Sequence, residues 1–306
     1  MWLVLAFCSA ALLGLYDVCK KTSLQANPVI PVLTLNTLFC TLIFLPMIIG
    51  SALGCISQGA LLYVPHLDAA AHGLILLKAL LVLSSWMLGY IGIKYLPITI
   101  VGPINATRPV MVLIGAVLIF GERLNLWQWA GVAVAILSFF LLSKTGRKEG
   151  IRFGHNKWIA CIVLAAVLGA MSGLYDKHLL APADAGGVGL DKMAVQSWYN
   201  LYQLILMTLV LLLYWIPRRD RETPFSWRWT IIGISVALSA ADFLYFYALS
   251  MPDAMISIVS MVRRASVLVS FVIGAIVFRE HHLKAKAVDL ALVLLSMILL
   301  AIGSQA

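Results

Sequence analysis

Charge is what this chain has least of. Only 11% of its 306 residues are charged, against 62% hydrophobic, and its mean hydropathy is +0.98. A soluble domain carries about 25% charged residues, so the deficit excludes a water-facing surface and makes lipid the main solvent. Enzyme signatures are missing as well. The chain has no GxSxG, no HExxH and no phosphate loop. Its five cysteines (Cys8, Cys19, Cys40, Cys55, Cys161) are scattered with no CxxC pair, which leaves helix packing as their role. The histidines His66, His72, His155, His178, His281 and His282 fall mostly at segment ends or in loops, the place of interface-facing side chains and not of a metal site. No catalytic residue, metal or cofactor is expected. The first apolar stretch lacks a basic n-region and outruns a signal-peptide core, so it is expected to be a span and not a cleaved signal. The net charge of +9 lies in short loops. There it sets membrane orientation, and nucleic acid is not expected as a partner.

What fills the chain is apolar sequence. Windows of roughly 20 apolar residues, the thickness of a hydrocarbon core, fall at 3–23, 29–49, 73–95, 98–120, 124–142, 158–180, 193–216, 229–250, 254–278 and 284–303. The expected fold is all-α: a polytopic membrane protein of ten helices, with the lipid bilayer as its surroundings and no soluble domain.

Those segments repeat. Gly14-Leu15-Tyr16-Asp17 closes segment 1, and Gly173-Leu174-Tyr175-Asp176 closes segment 6, 159 residues on. Each follows a small-xxx-small pair, Ala10/Gly14 and Gly169/Gly173, read as helix packing. Ser84, Tyr90 and Pro97 match Ser239, Tyr245 and Pro252 at an offset of 155, and Asn36 and Asn200 stand at comparable depth in segments 2 and 7. An odd number of crossings separates the copies, so the second is upside down. Inverted repeats of this kind mark secondary transporters, with the substrate site near mid-membrane. The plan is five helices over 1–143, a basic connecting loop over 144–157, and five more over 158–306.

Pro109, twelve residues, then Gly121-Glu122 close segment 4, and a small-residue run from Gly131 to Ala135 follows in segment 5. On these residues the chain resembles the ten-helix EamA-type members of the drug/metabolite transporter superfamily. Glu280 keeps the second signature at an offset of 158 from Glu122, although Val267 replaces the Pro and Arg279 the Gly. The resemblance implies transport, a five-plus-five fold and cytoplasmic termini. It makes Glu122 and Glu280 structural caps, and it does not name a substrate.

Intramembrane charges are the residues with something to explain, since each costs at least about 2.5–3.5 kcal/mol at mid-membrane unless paired or wet. The acids are Asp17, Asp176, Asp242 and Asp253; the bases are Lys20, Lys21, Lys94, Arg108, Lys177, Arg263 and Arg264. The four lysines lie near segment ends, where snorkelling to the interface competes with lining a pocket. Arg108, Arg263 and Arg264 lie mid-span and must face protein or water. On segment 9, Asp253, Ser257, Ser260 and Arg264 fall within one arc of about 60°. A structural ion pair of Arg264 with Asp242 is the plainer alternative. Tyr16 and Tyr175 stand beside the paired Asp residues; Asn36, Asn200, Gln196 and Gln203 line the same space or bond neighbouring helices. The candidate substrate residues are therefore Tyr16, Asp17, Arg108, Tyr175, Asp176, Asp242, Ser260, Arg263 and Arg264.

The expected function is secondary active transport of a small polar metabolite by alternating access, in the bacterial cytoplasmic (inner) membrane. Seven intramembrane cations against four acids favour an organic anion. Asp17, Asp176 and Asp242 are the candidate proton carriers. Lys20 and Lys21 hold Asp17 charged, which leaves Asp176 the freer of the mated pair to take up a proton. Monomer and homodimer are both compatible with the sequence. The rival from another class is a non-transporting receptor or scaffold; a lipid-modifying enzyme would need a nucleophile or metal set that the sequence lacks. Lys/Arg bias opposes the family's usual orientation. The loops after segments 5, 7 and 9 hold twelve basic residues, against Arg123 and Lys192 in those on the other side, with Lys78 just inside segment 3, so both termini are expected outside.

Overall fold

Lipid leaves a backbone no partner but itself, so an apolar chain of this length is driven to helix throughout. The computed structural model describes residues 2–108, 110–111, 125–148, 156–180, 187–221, 224–249, 262–263, 266–277 and 283–305, and among them there is no strand. The helices are α1 (Trp2–Leu24), α2 (Val29–Ala52), α3 (Ala69–Tyr95), α4 (Ile98–Ala106), α5 (Leu126–Lys148), α6 (Lys157–Leu180), α7 (Lys192–Val210), α8 (Thr230–Leu249), α9 (Ser266–Val277) and α10 (Leu283–Gln305). Beyond Val210, α7 runs on through a wide π turn, Leu211–Trp215, and a tight turn, Ile216–Arg221. Val29–Ala52, Ala69–Tyr95, Lys157–Leu180 and Lys192–Arg218 are long and apolar enough to cross a membrane; Leu126–Ser138, Thr230–Tyr245, Ser266–Val277 and Ala287–Leu299 are shorter apolar stretches.

Local chemistry starts these helices where they start. Asp68 accepts from the Ala71 amide at 2.9 Å, and Asp191 accepts from the Met193 and Ala194 amides at 2.8 and 3.0 Å. Asn125 and Gln128 form a reciprocal capping box, with side chain to amide bonds of 2.9 and 3.0 Å. Pro28 and Pro97 precede α2 and α4, where the restricted φ of proline suits the turn into a helix.

The helices pack crosswise between the two halves of the chain. α1 lies along α8 while α6 lies along α3; α2 packs on α7, α4 on α9 and α5 on α10. Close approach depends on glycine. A Cβ on Gly274 would stand 2.2 Å from Ile98 Cγ2, and one on Gly102 2.5 Å from Val267 Cγ2, so each helix of the α4–α9 pair receives a branched side chain of the other. Between α5 and α10, Ser138 Oγ donates to the Asp289 carbonyl at 2.8 Å and Ser296 Oγ to the Gly131 carbonyl at 2.7 Å. These two bonds are reciprocal. Ser296 and Asp289 stand 158 positions after Ser138 and Gly131, the same offset that relates Glu280 to Glu122. Outward faces carry Leu213, Ile276, Ile136 and Val236, all exposed, as befits surfaces meeting lipid.

One end of the bundle gathers several turns. Asn27, between α1 and α2, donates to the Ser226 carbonyl at 2.9 Å and accepts from the Ser226 amide at 2.8 Å, ahead of α8. Lys21 donates to the Ile93 and Leu96 carbonyls, both at 2.6 Å, at the end of α3. Tyr95 stacks on Trp158 at 4.0 Å between ring centres, bringing in the start of α6. The far end holds Asn125 bonded to the Gly303 carbonyl at 2.6 Å.

Candidate functional site

Buried charge in this bundle comes in neighbouring pairs. On α1, Lys20 donates to Asp17 at 2.8 Å, a contact set by their i,i+3 spacing on one helix face. The Lys20 ammonium also lies 4.4 Å from the Tyr16 ring centre and 5.3 Å from that of Tyr90 on α3. Two tyrosine faces thus help to hold the cation out of water. Between the halves, Lys78 of α3 pairs with Asp176 of α6, and its ammonium lies 5.0 Å from the Tyr199 ring centre on α7. A third pair joins Arg263 to Asp242 of α8, with the guanidinium 4.2 Å from the Tyr245 ring centre. Tyr90 and Tyr245, matched at an offset of 155, therefore each face a cation.

Asp242 takes Arg263; Arg264, its partner in the plainer alternative, lies outside the described residues. One expectation changes here. Asp176 is not the freer acid, because Lys78 holds it. The counterpart of Lys78 by the 155-residue offset is Gly233, so the two halves meet their mated Asp residues differently. Tyr16 is buried beneath Lys20, whereas the Tyr175 hydroxyl donates to the Leu74 carbonyl at 3.2 Å. Ser260 and Arg264, with Asp253, Ser257, Glu122 and Glu280, lie outside the described residues.

Arg108 follows α4 and is differently placed. Its Nη2 donates to Asn105 Oδ1 at 3.3 Å, and its Nε is buried with no acceptor. The guanidinium rests on α6: a Cβ on Gly169 would stand 2.7 Å from Arg108 Cζ. Gly169 therefore makes room for a charged group, beyond the helix packing expected of it.

A polar seam runs along α2, α7 and α8. Ser235 donates to Asn36 Oδ1 at 3.0 Å, and Thr41 to the Asn200 carbonyl at 3.0 Å. Gln196 and Gln203 are fully buried on the inner face of α7, and neither side-chain amide has a hydrogen-bond partner. Tyr202 bonds His72 at 2.8 Å near the start of α3. The surface cleft between Gly59–Pro65 and Asp191–Met193 lies at helix ends and holds none of the candidate residues. No cluster of His, Cys, Asp or Glu with metal-site geometry occurs among the described residues.

Sequence reasoning missed Lys78. It sits nine positions into α3, read as a residue just inside its segment, and its partner is 98 residues away. Its one legible signal is that it is a basic residue within an apolar run.

Buried ion pairs inside a bundle of apolar helices with apolar outer faces define an integral, multi-pass membrane protein. Residues 1–144, just under half of the chain, are similar to the EamA-like transporter family, whose model they match and which is part of the drug/metabolite transporter superfamily. That family consists of membrane transporters and is typically non-enzymatic. A crystal structure of a protein, described by no activity, superposes with a TM-score of 0.59 at 15% identity, over 97% of this chain and 96% of that one. At that identity the likeness concerns the fold alone. No curated protein matches the sequence.

Proposed function

We propose that the chain is a secondary active transporter that moves a small polar metabolite, an organic anion in preference to a cation, across a bacterial inner membrane by alternating access. Ten spans arranged as two inverted five-helix repeats, 1–143 and 158–306, would carry it. The observation that carries this reading is the exchange of helix partners between the halves. α1 on α8 answers α6 on α3, and the two Ser to carbonyl bonds of α5 and α10 map onto each other by one offset. A pseudo-two-fold bundle of this kind has two related ways to open.

The substrate region in this reading is the space among Tyr16, Asp17, Arg108, Tyr175, Asp176, Asp242, Ser260, Arg263 and Arg264. Mid-membrane charge is retained where a polar solute or ion must pass. Asp242 engages Arg263, so Arg264 is the arginine left to meet substrate on the polar arc of segment 9.

Proteoliposomes holding the purified chain test it. Uptake of labelled metabolites from a mixed anion, amino acid and sugar panel is expected, lost in Arg264→Gln while the variant still extracts as a folded protein. A receptor or scaffold would accumulate none of the panel. Unfolding of both Arg264→Gln and Asp242→Asn would instead assign these residues to holding the bundle together.

A further inference from the structure

We infer that the Arg108 guanidinium is the receptor for a single carboxylate carried by the transported solute, and that Gly169 is the specificity-determining residue that sets its position. The inference rests on the transporter reading above and names the chemistry of its substrate.

Three of the buried cations already hold acids: Lys20 holds Asp17, Lys78 holds Asp176, and Arg263 holds Asp242. Arg108 holds none. Its side-chain acceptor is the neutral amide oxygen of Asn105 at 3.3 Å, a long bond, and its Nε–H is buried without an acceptor. A guanidinium stays protonated in a protein, so this is a permanent positive charge within a span that makes no ion pair of its own among the described residues, where Asp17, already held by Lys20, is the negative charge acting on it. An oxyanion from outside satisfies it best. The planar fork of donors matches a carboxylate through two parallel hydrogen bonds. One guanidinium balances one negative charge. A phosphate monoester, at about −1.5 to −2, would bring an excess into a low dielectric, so the carboxylate is the better match.

Gly169 fixes where that charge stands. A Cβ there would lie 2.7 Å from Arg108 Cζ, 2.8 Å from Nη1 and 3.1 Å from Nε, so the backbone of α6 forms a floor under the guanidinium that a Cβ would push aside. One turn on, a Cβ at Gly173 would meet nothing within 4 Å. The same Gly→Ala change, four residues apart on one helix face, thus displaces the guanidinium in one case and touches nothing in the other.

The experiment is thermal stabilisation of the purified full chain in detergent by a library of monocarboxylates, run beside the corresponding amides and inorganic phosphate. Monocarboxylates are expected to raise the melting temperature in a saturable way, and their amides are not. Apparent affinity should fall by about tenfold or more in Arg108→Gln and in Gly169→Ala, the loss of a charge-assisted hydrogen bond, and stay unchanged in Gly173→Ala. Should Arg108→Gln aggregate, Gly169→Ala carries the test, because what it displaces is the tip of a flexible side chain. Equal stabilisation by acids and amides, stabilisation by phosphate alone, no stabilisation by any monocarboxylate, or an unchanged response in Gly169→Ala would each overturn the proposal. Proteoliposome uptake that survives Arg108→Gln would remove this receptor and leave the transporter reading in place.

Discussion

Lys78 and Asp176 form an ion pair whose two halves differ in burial, 5% side-chain exposure for the lysine and 36% for the acid. Removing either partner strands the other, and the penalty follows the burial of what remains. Asp176→Asn leaves a deeply buried ammonium and is expected to cost about 3 kcal/mol of stability, the lower end for a broken buried pair. Lys78→Met leaves a carboxylate with access to solvent, and the expected cost is about 1 kcal/mol, as for exposed pairs. Thermal unfolding in detergent reads the difference; equal losses would mean that burial does not govern this pair. The double variant Lys78→Met/Asp176→Leu should recover most of the loss. At this scale the sequence disclosed local pairs and concealed distant ones. Asp17 with Lys20 follows from helical spacing alone, whereas Asp176 with Lys78 depends on how α3 meets α6. Arg263 and Arg264 are equally basic in the sequence, and nothing there singles out Arg263 as the one that meets Asp242.

Helix against helix, α4 and α9 lock by mutual insertion and α5 and α10 by mutual hydrogen bonds. Gly274→Ala would put a Cβ 2.2 Å from Ile98 Cγ2, an overpacking expected to cost about 1–3 kcal/mol. Ile98→Ala removes that methyl group, so the double variant should be more stable than the sum of the single losses predicts. Strict additivity in a double-mutant cycle would mean that the two residues do not touch. Ser138→Ala and Ser296→Ala each remove one of the two matched bonds, and each is expected to cost about 0.6 kcal/mol, the mean for interhelical hydrogen bonds in a membrane protein. A loss in one variant several times that in the other would argue against equivalent packing. Helix positions were well legible. The apolar windows at 29–49, 158–180 and 229–250 meet α2, α6 and α8 within three residues at every end, because long apolar runs bounded by Pro28, Asn156 and Arg228 leave little choice. Partner choice was not legible. Crosswise pairing depends on which glycine admits which branched side chain, and single glycines in apolar runs carry no such label.

For the whole molecule the open matter is which way it faces, and the bundle sharpens the charge argument. Asn27 with Ser226, Thr22 with Arg228, Lys21 with the end of α3, and Tyr95 with Trp158 bring the α1–α2, α3–α4 and α7–α8 connections and the start of α6 to one end. Arg218, Arg219, Arg221 and Arg228 belong to the α7–α8 connection, and Lys144, Arg147, Lys148 and Arg152 precede Lys157 at the start of α6. Lys157 and Arg228, among the described residues, thus stand at one end of the bundle. Lys/Arg in short loops is retained on the cytoplasmic side, so that end is expected inside and both termini outside, against the cytoplasmic termini usual for EamA-type proteins. Reporters placed in the α5–α6 and α7–α8 connections are then expected to agree with each other, since the start of α6 and the start of α8 lie at that same end. C-terminal fusions decide the sign: an active periplasm-dependent phosphatase and a dark fluorescent protein are expected. Bright fluorescence with an inactive phosphatase would place the C-terminus inside. The basic end would then face outward, and the family's orientation would outweigh the charge bias in this chain.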